Sequence, residues 1–166
     1  LVNASVSVAP PMFVDVVNVT SAADMADVVK SKAAEQDIII MTAAVADFCP
    51  SHPADEKIKK NDSSYESVIE LERTEDILSY LGAHKANGQL ICGFSMETQN
   101  MLENSKAKLA KKNADMIVAN NLKVAGAGFG TDTNVVTLIT ADDCTELEIM
   151  DKSCVAARIM DRLLQR

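Results

Sequence analysis

Asp37-Ile38-Ile39-Ile40-Met41-Thr42-Ala43-Ala44-Val45-Ala46-Asp47 is the stretch that decides the fold. Its first half is a continuous isoleucine-rich run with polar residues at both ends, which is typical of a strand covered on both faces. Its second half contains small residues and closes on an acid. Because strands buried on both faces occur mainly in parallel sheets, the segment indicates an α/β fold.

Strands and helices alternate outward from this segment. The pattern predicts strands at 14–19, 37–41, 68–71, 90–94 and 116–119, and helices at 22–34, 75–86, 101–112 and 152–165. Thr20 or Ser21 is expected to cap the first helix. The last helix places Val155, Ile159 and Leu163 on one face at four-residue spacing, so this face is expected to be buried.

Two further strands, at 135–139 and 147–150, are separated by a polar turn and predict an antiparallel pair at one edge of the sheet. The fold class is therefore α/β: a Rossmann-like three-layer domain with a mainly parallel sheet and an antiparallel edge hairpin. The connection at 46–61 is long, as functional or mobile loops are. The length of 166 residues fits a single domain over residues 1–166.

The composition excludes several classes of protein. With 48% hydrophobic and 24% charged residues, the chain has the composition of an ordinary globular protein. Its longest apolar stretch, 38–46, is about half as long as a helix that spans a bilayer. A net charge of −8 argues against nucleic-acid binding, which needs clustered basic residues. The four cysteines are widely spaced and form no Cys-x-x-Cys motif, which favours reduced thiols in a cytoplasmic protein over a zinc site or disulfides.

Lysines are concentrated in two short groups, at 57–60 and 106–112. On an acidic protein, two such groups can gather one small polyanionic ligand. They can equally be two solvated faces of the domain. Charge alone leaves both interpretations open.

A dinucleotide-dependent oxidoreductase is the obvious alternative for an α/β domain, because glycines are closely spaced at 126–130. A pyrophosphate-binding turn must pass directly into a helix, whereas the strand-like run Asn134-Val135-Val136 follows here. No tyrosine has a lysine four residues further on, and no P-loop motif is present. The sequence therefore disfavours this class of enzyme.

The end of the deciding segment predicts a ligand site. In an open parallel sheet, ligands bind beyond the carboxyl ends of the strands, where small residues such as Ala43 and Ala44 let backbone amides approach them. The Asp47 carboxylate would project into this site, where it could hold a hydrated magnesium ion on a triphosphate or bond a ribose hydroxyl. An aspartate that only caps a turn is the alternative.

Several segments together carry a resemblance to a known family. They are Ala43-Ala44-Val45-Ala46-Asp47, Lys57-Ile58-Lys59-Lys60, Gly93-Phe94-Ser95-Met96-Glu97-Thr98, 108–113 and 117–120. In order and spacing they resemble the phosphopantothenate-cysteine ligases, of the bacterial CTP-dependent type, over nearly the whole chain.

The resemblance implies a ligase of coenzyme A biosynthesis. Such an enzyme activates 4'-phosphopantothenate with CTP, here expected as its Mg²⁺ complex, and releases pyrophosphate. The acyl-cytidylate is then attacked by the amine of cysteine. The resemblance also implies a homodimer and, in the bifunctional form of the family, a flavin-dependent decarboxylase fused upstream.

The resemblance assigns roles to single residues. Lys57 matches the family's catalytic lysine on a mobile loop over the nucleotide, and a solvated loop lysine is the alternative. Phe94 matches a residue packed at the nucleotide or else belongs to the core, and Asn120 bonds a substrate or else is an ordinary turn residue. Asp47 is the expected metal ligand. The expected nucleotide-binding residues are Ala43, Ala44, Asp47, Lys57, Asp76, Ile77, Phe94, Lys108 and Lys112.

The chain departs from the family pattern at two places. Thr74-Glu75-Asp76-Ile77 replaces the usual Asn-Pro-Asp-Ile, so the turn lacks the geometry that proline fixes. The family's first strand and helix, whose connecting loop carries a catalytic asparagine and an arginine, have no counterpart before Leu1, and a domain without this unit is expected. A non-catalytic or incomplete nucleotide-binding or dimerisation module of the same fold is therefore the alternative function.

Overall fold

The computed structural model describes residues 1–4, 6, 8–54, 56–57, 68–96, 100–121 and 130–165. Its strands are β1 (Val2–Ala4), β2 (Val17–Val19), β3 (Ile38–Met41), β4 (Phe48–Pro50), β5 (Leu71–Arg73), β6 (Leu90–Met96), β7 (Met116–Asn120), β8 (Thr133–Asn134), β9 (Val136–Ile139), β10 (Cys144–Glu146) and β11 (Met150–Asp151). Its helices are α1 (Ala22–Ala33), α2 (Ile77–Ala83), α3 (Met101–Lys111) and α4 (Lys152–Leu164).

The chain divides into two compact units, one of residues 1–28 and 44–76 and one of residues 29–43 and 77–166. None of the described helices combines the length and the apolar character that a bilayer span requires. The single domain without its first strand-helix unit, expected from the sequence, stays a prediction.

The second unit is built on a five-stranded sheet in the order β10-β9-β7-β6-β3. β3, β6 and β7 are parallel, and β9 and β10 continue the sheet in antiparallel pairing. The isoleucine run forms β3, as the sequence predicts, but the predicted coverage on both faces is wrong for the described residues: β3 is the outermost strand of this sheet, its residues are only partly buried and Ile40 is 37% exposed. The predicted α/β class with a mainly parallel sheet and an antiparallel edge is therefore confirmed.

Helix α4 covers one face of this sheet. Its side chains Val155, Ile159 and Leu163 pack with Cys92, Met116, Val118, Val136 and Leu138 in one buried cluster, so the predicted apolar face of this helix is confirmed. Burial, with a smaller contribution from the charge of Asp115, raises the pKa of the Cys92 thiol to about 12. Cys92 therefore stays a neutral thiol and fills space in the core.

Helices α2 and α3 pack closely because Gly82 lacks a side chain. A Cβ at this position would lie 1.7 Å from the backbone oxygen of Lys112, just beyond the end of α3. Asn113, in the left-handed region at φ 49°, donates from Nδ2 to the Gly82 carbonyl at 2.8 Å. Gly82 thus lets the backbones of the two helices approach each other directly.

Side chains lock the amino ends of the parallel strands. Gln89, which is 5% exposed, donates from Nε2 to the carbonyl oxygens of Ala33 and Gln36 and so satisfies the end of α1. Lys85 forms an ion pair with Asp115 at 2.6 Å, with side chains only 19% and 11% exposed. Each of these contacts ties a loop at this edge to a neighbouring element.

In the first unit, β1 and β2 form a parallel pair and lead into α1. Ser21 Oγ accepts a hydrogen bond from the Asp24 N–H, and Asp24 Oδ2 accepts from the Ser21 N–H, which is a capping box. The hydroxyl of Thr20 and the contacts with Ser21 lower the pKa of Asp24. The predicted cap at Thr20 or Ser21 is therefore confirmed, with Ser21 as the cap.

The predicted loop at 46–61 is wrong at its start. Phe48–Pro50 forms β4 and pairs antiparallel with β5, in a separate two-stranded sheet. The strand predicted at 68–71 is displaced to Leu71–Arg73 for the same reason, and it does not join the parallel sheet. The residues around Pro50 are polar, so no hydrophobic pattern indicated a strand. Its backbone groups are paired with a segment about 23 positions further along the chain, which the local sequence does not reveal.

The prediction of an antiparallel edge pair between 135–139 and 147–150 is wrong in its second strand. β9 pairs with Cys144–Glu146, inside the stretch taken as a turn, and Met150–Asp151 pairs instead with Thr133–Asn134. β10 has only three residues, none of them buried, so it is too short and too exposed for a hydrophobic alternation to reveal it. The glycines at 126–129 and the lysines at 59 and 60 lie outside the described residues.

Replacing Gly82 with alanine is expected to lower the free energy of unfolding of the second unit. The added Cβ would meet the Lys112 carbonyl, so the helices must separate at a cost of about 1–3 kcal/mol. Urea unfolding followed by circular dichroism measures the change. Ala83→Ser, on an exposed position of the same helix, is the control, and a G82A variant as stable as wild type would contradict this packing.

Candidate functional site

The carboxyl ends of β3, β6 and β7 meet at one edge of the sheet in the second unit. Met41 is paired with Gly93, and Met96 with Asn120, so β6 and β7 end level with each other and extend past β3. Ala43 follows β3 after one residue and is exposed. This is the edge at which open parallel sheets bind ligands.

Phe94 and Asn120 lie on the same face of the sheet, because their neighbours Cys92 and Val118 both belong to the cluster under α4. Phe94 is half-buried and packs against that cluster, so it is partly a core residue, and it lies two residues before the end of β6. Asn120 is the last residue of β7 and not a turn residue. The structure therefore brings an aromatic ring and a carboxamide to the ligand edge.

Lys108 is held at the same edge by a backbone oxygen. Its Nζ donates to the Phe94 carbonyl at 2.8 Å, and its side chain is half-buried. Side chains on a helix point back toward the helix start, and α3 starts at the carboxyl edge, so the ammonium group is carried toward the site. Only one of its three N–H donors is needed for Phe94.

A buried pair of hydroxyl groups fixes α3 against β6. Ser95 and Ser105 share a hydrogen bond of 2.8 Å and are 4% and 0% exposed. Sequence reasoning missed this pair. Its signal is a serine four residues before the buried Leu109, on the apolar face of a helix.

Lys112 reaches the first turn of α2. Its Nζ donates to Ser79 Oγ at 2.8 Å, and Ser79 lies two residues after Ile77, which begins α2. The structure thus brings Lys112 to the helix that begins at Ile77, and both are predicted nucleotide-binding residues. Ser79 was not predicted, because a serine in a short helix carries no distinguishing pattern.

In the first unit, the β4–β5 ladder brings the predicted acids to one end. The Thr74 N–H donates to the Asp47 carbonyl at 3.0 Å, and the Thr74 hydroxyl donates to the carbonyl of Ala46. Asp76 follows Thr74 after one residue. Asp47 and Asp76 are both exposed, and so is Ala44, which precedes this ladder.

Lys57 lies on the connection between β4 and β5 and is exposed. Arg73 stacks over the Phe48 ring at 5.3 Å, which adds a cation–π contact across the first ladder pair. The ladder therefore anchors both ends of the connection. The position of Lys57 on this connection and its exposure suit a lysine that contacts a ligand, and its catalytic role stays a prediction.

Lysine and aspartate are the charged residue types among the predicted nucleotide-binding residues. A lysine ammonium about 4 Å from a phosphate oxygen gains roughly 4 kcal/mol of gross attraction at an effective dielectric constant of about 20. Among the described residues no group of three His, Cys, Asp or Glu could hold a metal ion. Mg²⁺ commonly binds through one or two carboxylates together with substrate phosphates and water, and the exposed Asp47 stays the predicted metal ligand.

Comparison with known proteins identifies close relatives. Over 155 residues the chain is 45% identical to the coenzyme A biosynthesis bifunctional protein CoaBC of Bacillus subtilis (strain 168), covering 93% of this chain and 37% of that protein. It is 44% identical over 152 residues to a cysteine/cysteine sulfinic acid decarboxylase of an unknown prokaryotic organism, covering 91% and 42%. The chain spans about two fifths of the length of these curated relatives.

A solved structure shows the same fold. It is the crystal structure of the C-terminal domain of a coenzyme A biosynthesis bifunctional protein CoaBC, at a TM-score of 0.79 and 39% identity, covering 99% of this chain and 73% of that one. The family described as "DNA/pantothenate metabolism flavoprotein C-terminal domain" matches residues 1–166. The resemblance drawn from the sequence is thereby confirmed, and the chain belongs to the DNA/pantothenate metabolism flavoprotein C-terminal domain family.

Proposed function

We propose that this chain is a ligase of coenzyme A biosynthesis that joins 4'-phosphopantothenate to cysteine. A carboxylate oxygen of 4'-phosphopantothenate attacks the α-phosphorus of CTP, the bond to the β-phosphate breaks, and pyrophosphate leaves. The cysteine amine then attacks the acyl carbon, the bond to CMP breaks, and the amine loses a proton. The products are the amide and CMP.

The observation that carries the proposal is the identity of 45% to the CoaBC protein of Bacillus subtilis over 93% of this chain. The name of that relative states coenzyme A biosynthesis. A lysine, an aromatic ring and a carboxamide at the carboxyl edge of the parallel sheet supply groups that such a reaction requires.

The reaction brings two anions together, so cations must offset their repulsion. Lys108 and Lys112 are proposed to bind the nucleotide phosphates, since both ammonium groups are already placed by oxygen atoms of Phe94 and Ser79. Phe94 would pack against the nucleotide, and Ile77 would contact it through its backbone N–H at the start of α2. Ala43 leaves room for the ligand beside the backbone.

Residues of the first unit are proposed to bind CTP as well, on the resemblance of their motifs to the family. Ala44 would allow close approach of the backbone, while Asp47 would hold Mg²⁺ with CTP and Asp76 would contact the nucleotide. When bound, Mg²⁺ neutralises part of the triphosphate charge. Lys57 is the proposed catalytic lysine, which stabilises the charge that develops as pyrophosphate leaves.

CTP, rather than ATP, is proposed from the resemblance of the motifs to the bacterial ligases. A homodimer and a cytoplasmic location are proposed on the same basis, and the four free cysteines suit a reducing compartment. A flavin-dependent decarboxylase fused upstream stays a prediction, which the reading frame before Leu1 would test.

A second candidate is a nucleotide-binding or dimerisation module that does not turn over. It is favoured by the relative named as a cysteine/cysteine sulfinic acid decarboxylase, whose name states a different activity although it is 44% identical over 91% of this chain. This candidate predicts that CTP binds but is not consumed. The two candidates therefore differ in pyrophosphate release.

The full-length gene product is expected to release pyrophosphate from CTP only when 4'-phosphopantothenate is present, and to form CMP and the amide when cysteine is added. A coupled pyrophosphate assay and mass spectrometry of the products measure both steps, with ATP in place of CTP as the comparison. Binding of CTP without release of pyrophosphate would contradict the ligase proposal and support the second candidate.

Replacing Lys57 with glutamine in the full-length gene product is expected to slow acyl-cytidylate formation by about 10²- to 10³-fold, the usual effect of removing one donor aimed at transition-state charge. Single-turnover release of pyrophosphate measures this rate. Lys32→Gln, an exposed lysine of α1, is the control. A K57Q enzyme with the wild-type rate would exclude Lys57 as the catalytic lysine.

Replacing Lys108 with glutamine is expected to raise the KM for CTP about 10-fold or more, because a charge-assisted contact with phosphate is lost. Lys106→Gln is the matched control, since Lys106 is an exposed lysine of the same helix. Steady-state kinetics with varied CTP compares the two variants. Equal KM values would show that Lys108 serves only to bond Phe94.

A further inference from the structure

Two asparagines at the carboxyl end of β7 form a directed hydrogen-bond pair. Asn134 Nδ2 donates to Asn120 Oδ1 at 3.0 Å. Asn134 is 8% exposed, whereas Asn120 is half-buried at the end of its strand. One asparagine therefore belongs to the packed interior of the second unit and the other reaches the ligand edge.

The backbone of Val135 decides which way round each carboxamide lies. Its N–H can only donate, and it contacts Asn134 Oδ1 at 2.9 Å. Asn134 must then present its NH₂ group to Asn120, and the atom of Asn120 that accepts must be the oxygen. The other polar atom of Asn120, Nδ2, can only donate. The polarity of the pair is thus set by a peptide group and not by the ligand.

The Nδ2 group of Asn120 is available to donate a hydrogen bond to a ligand. Among the described residues, the bond to Asn134 is the only side-chain hydrogen bond that Asn120 makes. A half-buried N–H without an acceptor is unfavourable unless water or a ligand accepts it. Met96, the strand neighbour of Asn120 in the register, is 48% exposed, so this part of the edge is accessible.

We infer that Asn134 is a positioning residue, which holds Asn120 as an obligate hydrogen-bond donor to an oxygen of the acid substrate. The inference rests on the proposed function, in which 4'-phosphopantothenate occupies the edge of the sheet. Its phosphate, carboxylate and carbonyl oxygens are acceptors, as a fixed donor requires. A ligand that offers a donor at this point would meet Asn120 N–H groups and be rejected.

Asn134→Asp tests the polarity without touching the ligand. Its carboxylate still accepts from the Val135 N–H, but the second oxygen now faces Asn120 and can only accept. The Asn120 carboxamide must turn over and present its oxygen to the substrate oxygen. In the full-length gene product we expect the KM for 4'-phosphopantothenate to rise about 10- to 100-fold, with a much smaller change in kcat and in the KM for CTP.

Asn18→Asp is the matched control. It adds the same negative charge, and its side-chain oxygen accepts from Asn3 Nδ2 as in the wild type. Its kinetic constants should stay at wild-type values. Thermal unfolding of both variants checks that they are folded.

Each outcome decides a separate point. Wild-type turnover with an unchanged KM for the acid substrate in N134D would overturn the role of Asn134. A rise in the KM for CTP alone would overturn the assignment of the acceptor to the acid substrate and give it to the nucleotide. Absence of turnover in the wild type would overturn the proposed function and, with it, the identity of the ligand at Asn120.

Asn120→Asp keeps the inference testable if N134D does not fold. Asn134 then still donates to one oxygen, and the other oxygen faces the substrate as an acceptor. The same rise in the KM for 4'-phosphopantothenate is expected, and an unchanged KM would overturn the donor role of Asn120.

Discussion

The parallel pairing of β3, β6 and β7 is the constraint on which the rest of the second unit depends. Parallel strands require crossover connections, so each helix must return along the sheet and every strand must end at the same edge. This geometry alone brings Ala43, Phe94 and Asn120 to one side, although long stretches of chain separate them. The starts of α2 and α3 reach the same edge, because each helix runs opposite to the strand that follows it.

Lysine is a costly residue to place, since its long side chain loses considerable rotamer freedom when it is fixed. In the second unit the two lysine side chains are already ordered without a ligand. Lys108 is fixed by a strand carbonyl and Lys112 by the hydroxyl of Ser79. The hydrogen bond between Ser95 and Ser105 fixes the helix that carries Lys108 and ends just before Lys112. A ligand that binds there meets cations already in place, so less of its binding energy is spent on ordering them.

The sequence was sufficient for those elements whose pattern comes from burial. The four-residue spacing in α4 is produced by contact with the core, so the position of this helix could be predicted. The isoleucine run marked β3 correctly, although of its residues only Ile38 packs against the core cluster of the second unit. β4 and β10 are short and polar, and they exist because of pairing with a distant segment, which no local pattern records.

The residues of the candidate site also fall into those that the sequence could predict and those that it could not. Asp47, Lys57 and Lys108 were predicted because they match motifs, whereas Ser79 and Asn134 contact predicted residues through hydrogen bonds and have no motif of their own. Their roles follow only from hydrogen bonds between elements that are far apart in the sequence.

The contacts at the opposite edge of the sheet have a consequence for how this domain tolerates change. Gln89 and the Lys85–Asp115 pair tie the amino ends of the strands together, and the predicted ligand-binding residues of the second unit's sheet lie at the carboxyl ends. The contacts of Gln89, Lys85 and Asp115 are therefore made at the margin opposite to the predicted ligand-binding residues. Proteins commonly lose activity when they are made more stable, because the same residues serve both purposes. Here the contacts at the amino margin involve none of the predicted ligand-binding residues, so substitutions that strengthen this margin leave the hydrogen bonds of Lys108 and Asn120 unchanged.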